Sequence, residues 1–359
     1  MNAMFNAQRL ILARKRRKLT ARALADAIGA SPITISRLEN AANEPGLETV
    51  EALAHALGFP KEFFFGEEFD ELPGHAASFR SLSSMTAKER DAALSAGAIA
   101  YLFHDWVAER FNLPTADVPI MSENASPEEA AQIVRTSWGL GQQPVSNMVK
   151  LLESKGVRVF SLSEETNSVD AFSCWRGEQP FAFLNTFKSA ERSRFDAAHE
   201  LGHLVLHRHG TPQDSKQAES EADRFASEFL MPADDVRSRI RHVTNVEDLI
   251  RLKVRWGVSV AALNYRVNKL GLVSEWQNRS LNIEIARRGY RKDEPAGMLR
   301  EQSSLWPQVF ASLWQERQTR ESIAAQLNVP TFELDQFLMH LSDARLPAHA
   351  EKPGLRAVK

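Results

Sequence analysis

Apolar residues recur at helical spacing along most of this chain and alternate at strand spacing in only one region. At the front, residues 8–17 read as a first helix. Thr20 is placed to cap a second, with Leu24, Ala25 and Ile28 as its apolar stripe and Gly29 just past its end. Ser31 can cap a third helix with Pro32 at its first position, which turns Ile35 and Leu38 inward and Thr34 and Arg37 outward. Glu44-Pro45-Gly46 makes a turn, and residues 47–57 follow as a helix with Val50, Leu53, Ala54 and Leu57 on one side.

Residues 85–111 form a long Ala-rich helical pattern with Ala93, Ala96, Ile99, Ala100, Phe103 and Val107 on one face. An ordinary packed helix is preferred there over a spacer or a homodimerisation helix. Helices are expected over 127–138 and 145–155, then three strands over 157–162, 170–175 and 180–185. Residues 194–207 and 219–231 are helical, the second stopped by Pro232. Beyond them lie helices over 246–256, 260–270, 281–288, 305–316, 320–327 and 331–341. The expected fold class is therefore multidomain and mainly α, with one α+β domain built on a small sheet. The divisions read from the pattern are 1–66, a helical connector 67–126, a central domain 127–275 and a helical C-terminal region 276–359. Residues 320–330 have a degenerate helix-turn-helix look, for which packing or oligomerisation is preferred over DNA contact.

Composition changes this picture little, whereas the distribution of charge changes it more. The formal net charge is −2 over 359 residues. Residues 1–40 nevertheless carry eight basic side chains against two acidic, and residues 41–74 carry one against eight. A basic helical lobe with two short helices joined at a glycine is the helix-turn-helix pattern. Its expected partner is double-stranded DNA. The basic end of the first helix would meet phosphates, and Arg22, Ser31, Ile33, Thr34 and Arg37 would serve as DNA contacts. The single cysteine, Cys174, excludes an internal disulfide and reads as a buried inert thiol. No apolar run has the length of a membrane span, and the first residues lack a signal-peptide core, so a cytoplasmic location and no membrane partner are expected.

The candidate chemistry lies in residues 194–207. His199 and His203 are four apart and share a helix face, so both rings can be offered to one point. Glu200 stands next to them as a carboxylate base that is not a ligand. A catalytic zinc ion needs one more protein ligand and an open position for water. Glu219 is preferred, with Asp223 one turn on to accept the second ring N–H of His199. His209 and Glu221 compete for the third position. His209 has the metzincin spacing but lacks that pattern's glycine, since the position is Leu206. Glu221 falls on a different helical face from Glu219. His207 reads as a helix-end or supporting histidine. Tyr265 and His207 are weak candidates for an oxyanion donor, and residues 181–186 are a strand on which an extended substrate could pair.

These residues carry two family resemblances. Leu19 to Ala25, Ile35-Ser36-Arg37-Leu38-Glu39-Asn40, Leu57-Gly58-Phe59-Pro60 and Phe63-Phe64-Phe65 make residues 7–66 resemble an XRE (Cro/repressor-like) helix-turn-helix domain. Arg22 and Pro32 stand where that family often has glutamine. Phe181-x-Phe183-Leu184-Asn185, Arg192-x-Arg194-Phe195, Ala198-His199-Glu200-Leu201-Gly202-His203 and the block from Glu219 to Pro232 resemble the ImmA/IrrE zinc metallopeptidases over roughly residues 130–270. Residues 256–266 are similar to the segment that closes that domain. This resemblance implies Zn²⁺ held by His199, His203 and Glu219, Glu200 as the catalytic carboxylate, and a protein substrate such as a repressor. Two other readings stay open: a zinc-containing transcription regulator without proteolysis, and an antitoxin-like repressor that binds a partner protein.

Overall fold

The computed structural model describes residues 4–70, 72, 86–121, 125–162, 171–208 and 215–342. His209, one of the candidate ligands, lies outside these residues.

Helices α1 (Ala7–Arg16), α2 (Ala21–Ala27), α3 (Pro32–Glu39) and α4 (Leu47–Leu57) form the N-terminal bundle. Their ends follow the local chemistry. The Thr20 side chain accepts from the amide of Ala23, and Ser31 accepts from that of Thr34 with Pro32 at the first helical position. Gly29 and Gly58 take φ of +66° and +63°, where a Cβ would be strained. Leu10, Leu24, Ile35, Leu38, Val50, Leu53 and Leu57 are buried among these helices. A 3-10 turn over Lys61–Phe65 brings Phe63 and Phe64 beneath them, and the amide of Asn6 donates to the carbonyl of Phe64 at 2.7 Å.

Helix α5 (Ala87–Ala108) begins at a capping box between Thr86 and Glu89 and buries the stripe that includes Ala93, Ile99, Phe103 and Val107. After α6 (Pro127–Ser137) and α7 (Met148–Ser154) come strands β1 (Arg158–Ser161), β2 (Phe172–Arg176) and β3 (Gln179–Leu184). The order across the sheet is β1-β3-β2, with β1 parallel and β2 antiparallel to β3. The third strand is thus central, and both its edges are paired. Residues 181–186, expected to receive a substrate strand, have no free edge to offer. The outer edges of the sheet belong to β1 and β2.

Next follow α8 (Ala190–Leu206), α9 (Ser215–Leu230), α10 (Ala233–Arg239), α11 (Val246–Lys253), α12 (Val260–Lys269) and α13 (Glu275–Arg287). Last are α14 (Leu305–Gln315), α15 (Arg320–Leu327) and α16 (Thr331–Leu338). The sheet is a partition between two apolar cores. On one face Val159, Ala182 and Leu184 join a core with α6 to α13. On the other face Phe160, Phe172, Phe181 and Phe183 join α5, α14 and α16, and the same core runs on into the N-terminal bundle through Leu10, Leu57 and Phe63. Alternation along each strand sends neighbours to opposite cores. Trp306 fixes the second layer, with its indole N–H donating to the carbonyl of Val159 at 2.8 Å and its ring 4.9 Å from Phe160. Residues expected as a connector and a C-terminal appendage therefore cover the sheet together.

This arrangement also redirects the basic end of α1. Glu333 on α16, with none of its surface exposed, accepts from Arg16 Nε at 2.8 Å and Arg17 Nη1 at 2.7 Å. The Arg17 guanidinium is held between the rings of Phe59 and Phe332. Arg14 pairs with Glu39 inside the bundle. The expectation that this end of α1 meets phosphates is corrected: Arg16 and Arg17 are committed to the buried carboxylate of Glu333 and Arg14 to the half-buried one of Glu39. Helix α16 in turn buries Leu334 and Phe337, so residues 320–338 serve packing. Among the described residues no helix is long and apolar enough to cross a membrane.

Candidate metal centre

Helix α8 carries His199, Glu200 and His203 with their backbones locked in its middle turns. Helix α9 packs along it, and the closeness depends on Gly202. A Cβ there would stand 3.1 Å from a ring atom of Phe225 and 3.2 Å from the Cα of Ala222. With no side chain in the way, the first turns of α9 reach the two histidines.

The result is a three-residue cluster. His199 Nε2 and His203 Nε2 are 3.0 Å apart. Glu219 Oε2 lies 3.4 Å from His199 Nε2, and its Oε1 lies 3.5 Å from His203 Nε2. Among the described residues this is the cluster of His, Cys, Asp and Glu able to hold a metal ion. Glu221, the competing carboxylate, points elsewhere and sits 3.0 Å from His207 Nε2. Asp223 Oδ1 is 2.9 Å from His199 Nδ1, the position expected for an orienting acceptor.

Electrostatics within the cluster is divided. Burial alone would lower His199, but hydrogen bonds to Asp223 and Glu219 overcome it and raise the ring to about 10. Burial lowers His203 to about 4 despite Glu219. Burial also opposes ionisation of Glu219, yet its bonds to the two rings hold it below the usual carboxylate range. At neutral pH the cluster is then an imidazolium, a neutral imidazole and a carboxylate, with one proton enclosed among the three.

Glu200 is buried, and burial raises its carboxyl to about 7 against the pull of His199 and a hydrogen bond from Ser173. The Ser173 hydroxyl, on β2, is 2.7 Å from Glu200 Oε2. Sequence reasoning missed Ser173. The available signal was its place in the strand alternation, between Phe172 and Cys174, which faces it toward α8 rather than α5. Trp175 shares that face and its indole donates to the carbonyl of Leu204 at 3.1 Å. Cys174, on the opposite face, is buried against Tyr101, and burial pushes its thiol up to about 12, as an inert thiol requires.

The DNA-contact candidates lie at the opposite end of the chain's chemistry. Arg22, Ser31, Ile33, Thr34 and Arg37 are all exposed on α2, α3 and the turn between them, with Ile33 65% exposed. Ser31 is partly committed, because its hydroxyl caps α3 and lies 2.9 Å from that of Thr34. Tyr265 projects from the outer face of α12 beneath Lys269.

Two stretches of the chain match known families. Residues 10–64 match the family model described as Helix-turn-helix, and residues 152–268 match the IrrE N-terminal-like domain of the M78 peptidases. No curated protein matches the chain. In one polypeptide, residues 10–64 are thus similar to helix-turn-helix domains and residues 152–268 to the IrrE N-terminal-like domain of the M78 peptidases.

Proposed function

We propose that the chain is a DNA-binding regulator whose central domain is a zinc-dependent endopeptidase acting on a regulatory protein. The observation that carries this reading is the convergence of His199, His203 and Glu219 beside a buried Glu200. The donor set is that of a catalytic zinc site, two imidazole nitrogens and one carboxylate. Tetrahedral zinc with bonds of about 2.0–2.2 Å sets its ligand atoms about 3.3–3.6 Å apart. Here the two imidazole nitrogens stand 3.0 Å apart, Glu219 reaches each ring with a different carboxylate oxygen at 3.4 and 3.5 Å, and single ligand atoms from the three residues lie within 4.8 Å of one another, so the residues converge on one point at which the ion fits after a modest adjustment. When bound, the cation supplies Lewis acidity, acidifying water and polarising a carbonyl.

The chain's own residues do the rest. Glu200 takes a proton from the attacking water and returns it to the departing amine. Ser173 engages Oε2, which leaves Oε1 to move the proton. Asp223 fixes the tautomer of His199. An extended substrate would pair with β2, whose outer edge meets no strand among the described residues and which lies against α8 through Ser173 and Trp175. The deciding experiment compares the proteomes of cells expressing the wild type and Glu200→Gln. A protein that is shortened only by the wild type is the expected result. Identical proteomes with zinc bound in both would leave a regulator without proteolysis.

Zinc uptake has its own signature. Ligation needs the neutral ring of His199, which carries a proton up to about pH 10 in the metal-free chain. Binding at pH 7 should release at least one proton, and the apparent affinity should climb as pH rises. Calorimetry in buffers of different ionisation enthalpy reads the proton count. A count of zero would mean that the metal-free cluster carries no imidazolium at pH 7.

For the DNA-binding lobe, Arg37→Ala should weaken binding to a fragment selected from random DNA by about 1–3 kcal/mol, the range of one good base contact. Ser31→Ala should instead act on stability, costing about 1 kcal/mol through the lost cap. Fluorescence anisotropy and thermal denaturation separate the two. Unchanged DNA affinity in Arg37→Ala would remove α3 from the interface.

A further inference from the structure

We infer that His207 and Glu221 form a positioning relay that holds His203 ready for the metal ion. This inference rests on the zinc-site reading above. Histidines 199, 203 and 207 occupy successive turns of one face of α8, and His207 is the residue on which the helix ends. His203 turns Nε2 toward His199 and Glu219. Its other ring nitrogen, Nδ1, is 2.9 Å from His207 Nδ1. His207 Nε2 is 3.0 Å from Glu221 Oε2, and Glu221 Oε1 accepts from Gln217 Nε2 at 2.8 Å. The side chain of His207 is 5% exposed and that of Glu221 is 24% exposed, so water does not replace these bonds freely.

Proton counting fixes the direction of the relay. A carboxylate only accepts, so the proton between His207 and Glu221 belongs to His207 Nε2. Ligation through Nε2 of His203 requires that ring's proton on Nδ1, so Nδ1 of His207 is the acceptor of the 2.9 Å bond between the two rings. That leaves a lone pair on His203 Nε2, pointing into the cluster. One carboxylate two residues from Glu219 therefore sets the tautomers of two rings. His199 receives the equivalent support directly from Asp223. The two ligand histidines are anchored by carboxylates of the same helix, α9, one at first hand and one through an imidazole. This accounts for Glu221, which stands near the cluster but outside it. It also accounts for a helix that runs one turn past His203.

The experiment uses the full-length chain and two readouts. The first is zinc affinity by competition with a chromophoric chelator. His207→Ala and Glu221→Ala should each bind zinc about 10–100-fold more weakly. The double variant should be little worse than either, because the two residues act in series. Glu221→Gln should recover most of the affinity, since its amide oxygen still accepts from His207 Nε2. The second readout is the tautomer of His203 in the metal-free chain, from long-range ¹H–¹⁵N correlation of the imidazole. Nδ1–H is expected in the wild type and is expected to be lost or mixed in His207→Ala. A wild type that binds no zinc but keeps Nδ1–H would refute the zinc reading and spare the relay. Variants that bind zinc as tightly as the wild type would overturn the relay and spare the zinc reading. A His203 with Nε2–H in the metal-free wild type would overturn it as well, whatever the variants do.

Discussion

Glu200→Gln should hydrolyse the chain's protein target about 10²–10⁴-fold more slowly than the wild type while retaining zinc. That range is the usual contribution of a positioned general base. Glutamine keeps the shape of the side chain, and its amide oxygen can still accept from Ser173, so the packing of α8 against β2 is preserved. What it loses is the ability to take a proton. Metal content measured by emission spectrometry should stay at the wild-type ratio, because Glu200 is not one of the three converging ligands. The pH profile adds a second check. Burial holds the Glu200 carboxyl near 7 in the metal-free chain, and a bound dication would shift it lower. Activity should therefore fall as pH drops through the folded-state value and the base becomes protonated. A Glu200→Gln protein with an undiminished initial rate would remove Glu200 from the chemistry.

The second large effect is on stability. Glu333→Ala should cost about 3–5 kcal/mol, the range for breaking a buried ion pair by deleting one partner. Arg16, 5% exposed at its side chain, would be left with a buried charge, and Arg17 would lose its better acceptor. The loss follows from the stranded charge more than from the missing attraction. Arg16→Met combined with Glu333→Leu should therefore recover much of it. The expected observation is a lower midpoint of denaturant unfolding for Glu333→Ala, with partial recovery in the double variant. Equal midpoints for wild type and Glu333→Ala would show that α1 and α16 are not held together by this carboxylate.

The parts of this protein legible in the sequence are those decided within a few residues. Ser31-Pro32 starts α3 because a cap and a proline act on adjacent positions. The His199–His203 and Glu219–Asp223 spacings are single-helix facts, and both pairs converge. The start of α13 is also local, a capping box between Ser274 and Gln277, and was overlooked because the apolar pattern becomes clear only further on. Strand order is different in kind. Nothing within residues 180–185 says that β1 will pair on one side and β2 on the other, and that pairing is what moves the outer edges from β3 to β1 and β2. Ser173 becomes a partner of Glu200 only once β2 lies on α8. The pairing of Arg16 with Glu333 joins residues 317 apart and has no counterpart in local spacing, which is why a run of basic residues read as a DNA-facing surface.

The apolar core that runs from the N-terminal bundle through α5 to the sheet has a consequence for reach. On DNA, such a chain would act as a bracket rather than as two modules on a string. Its edge strand β2 would project from the duplex at one azimuth. A target protein bound to neighbouring DNA would meet that edge only when its site lies a whole number of helical turns away, in steps of about 10–10.5 base pairs. Inserting half a turn between the two sites would swing the target to the far side of the duplex, whereas a full turn would restore the alignment.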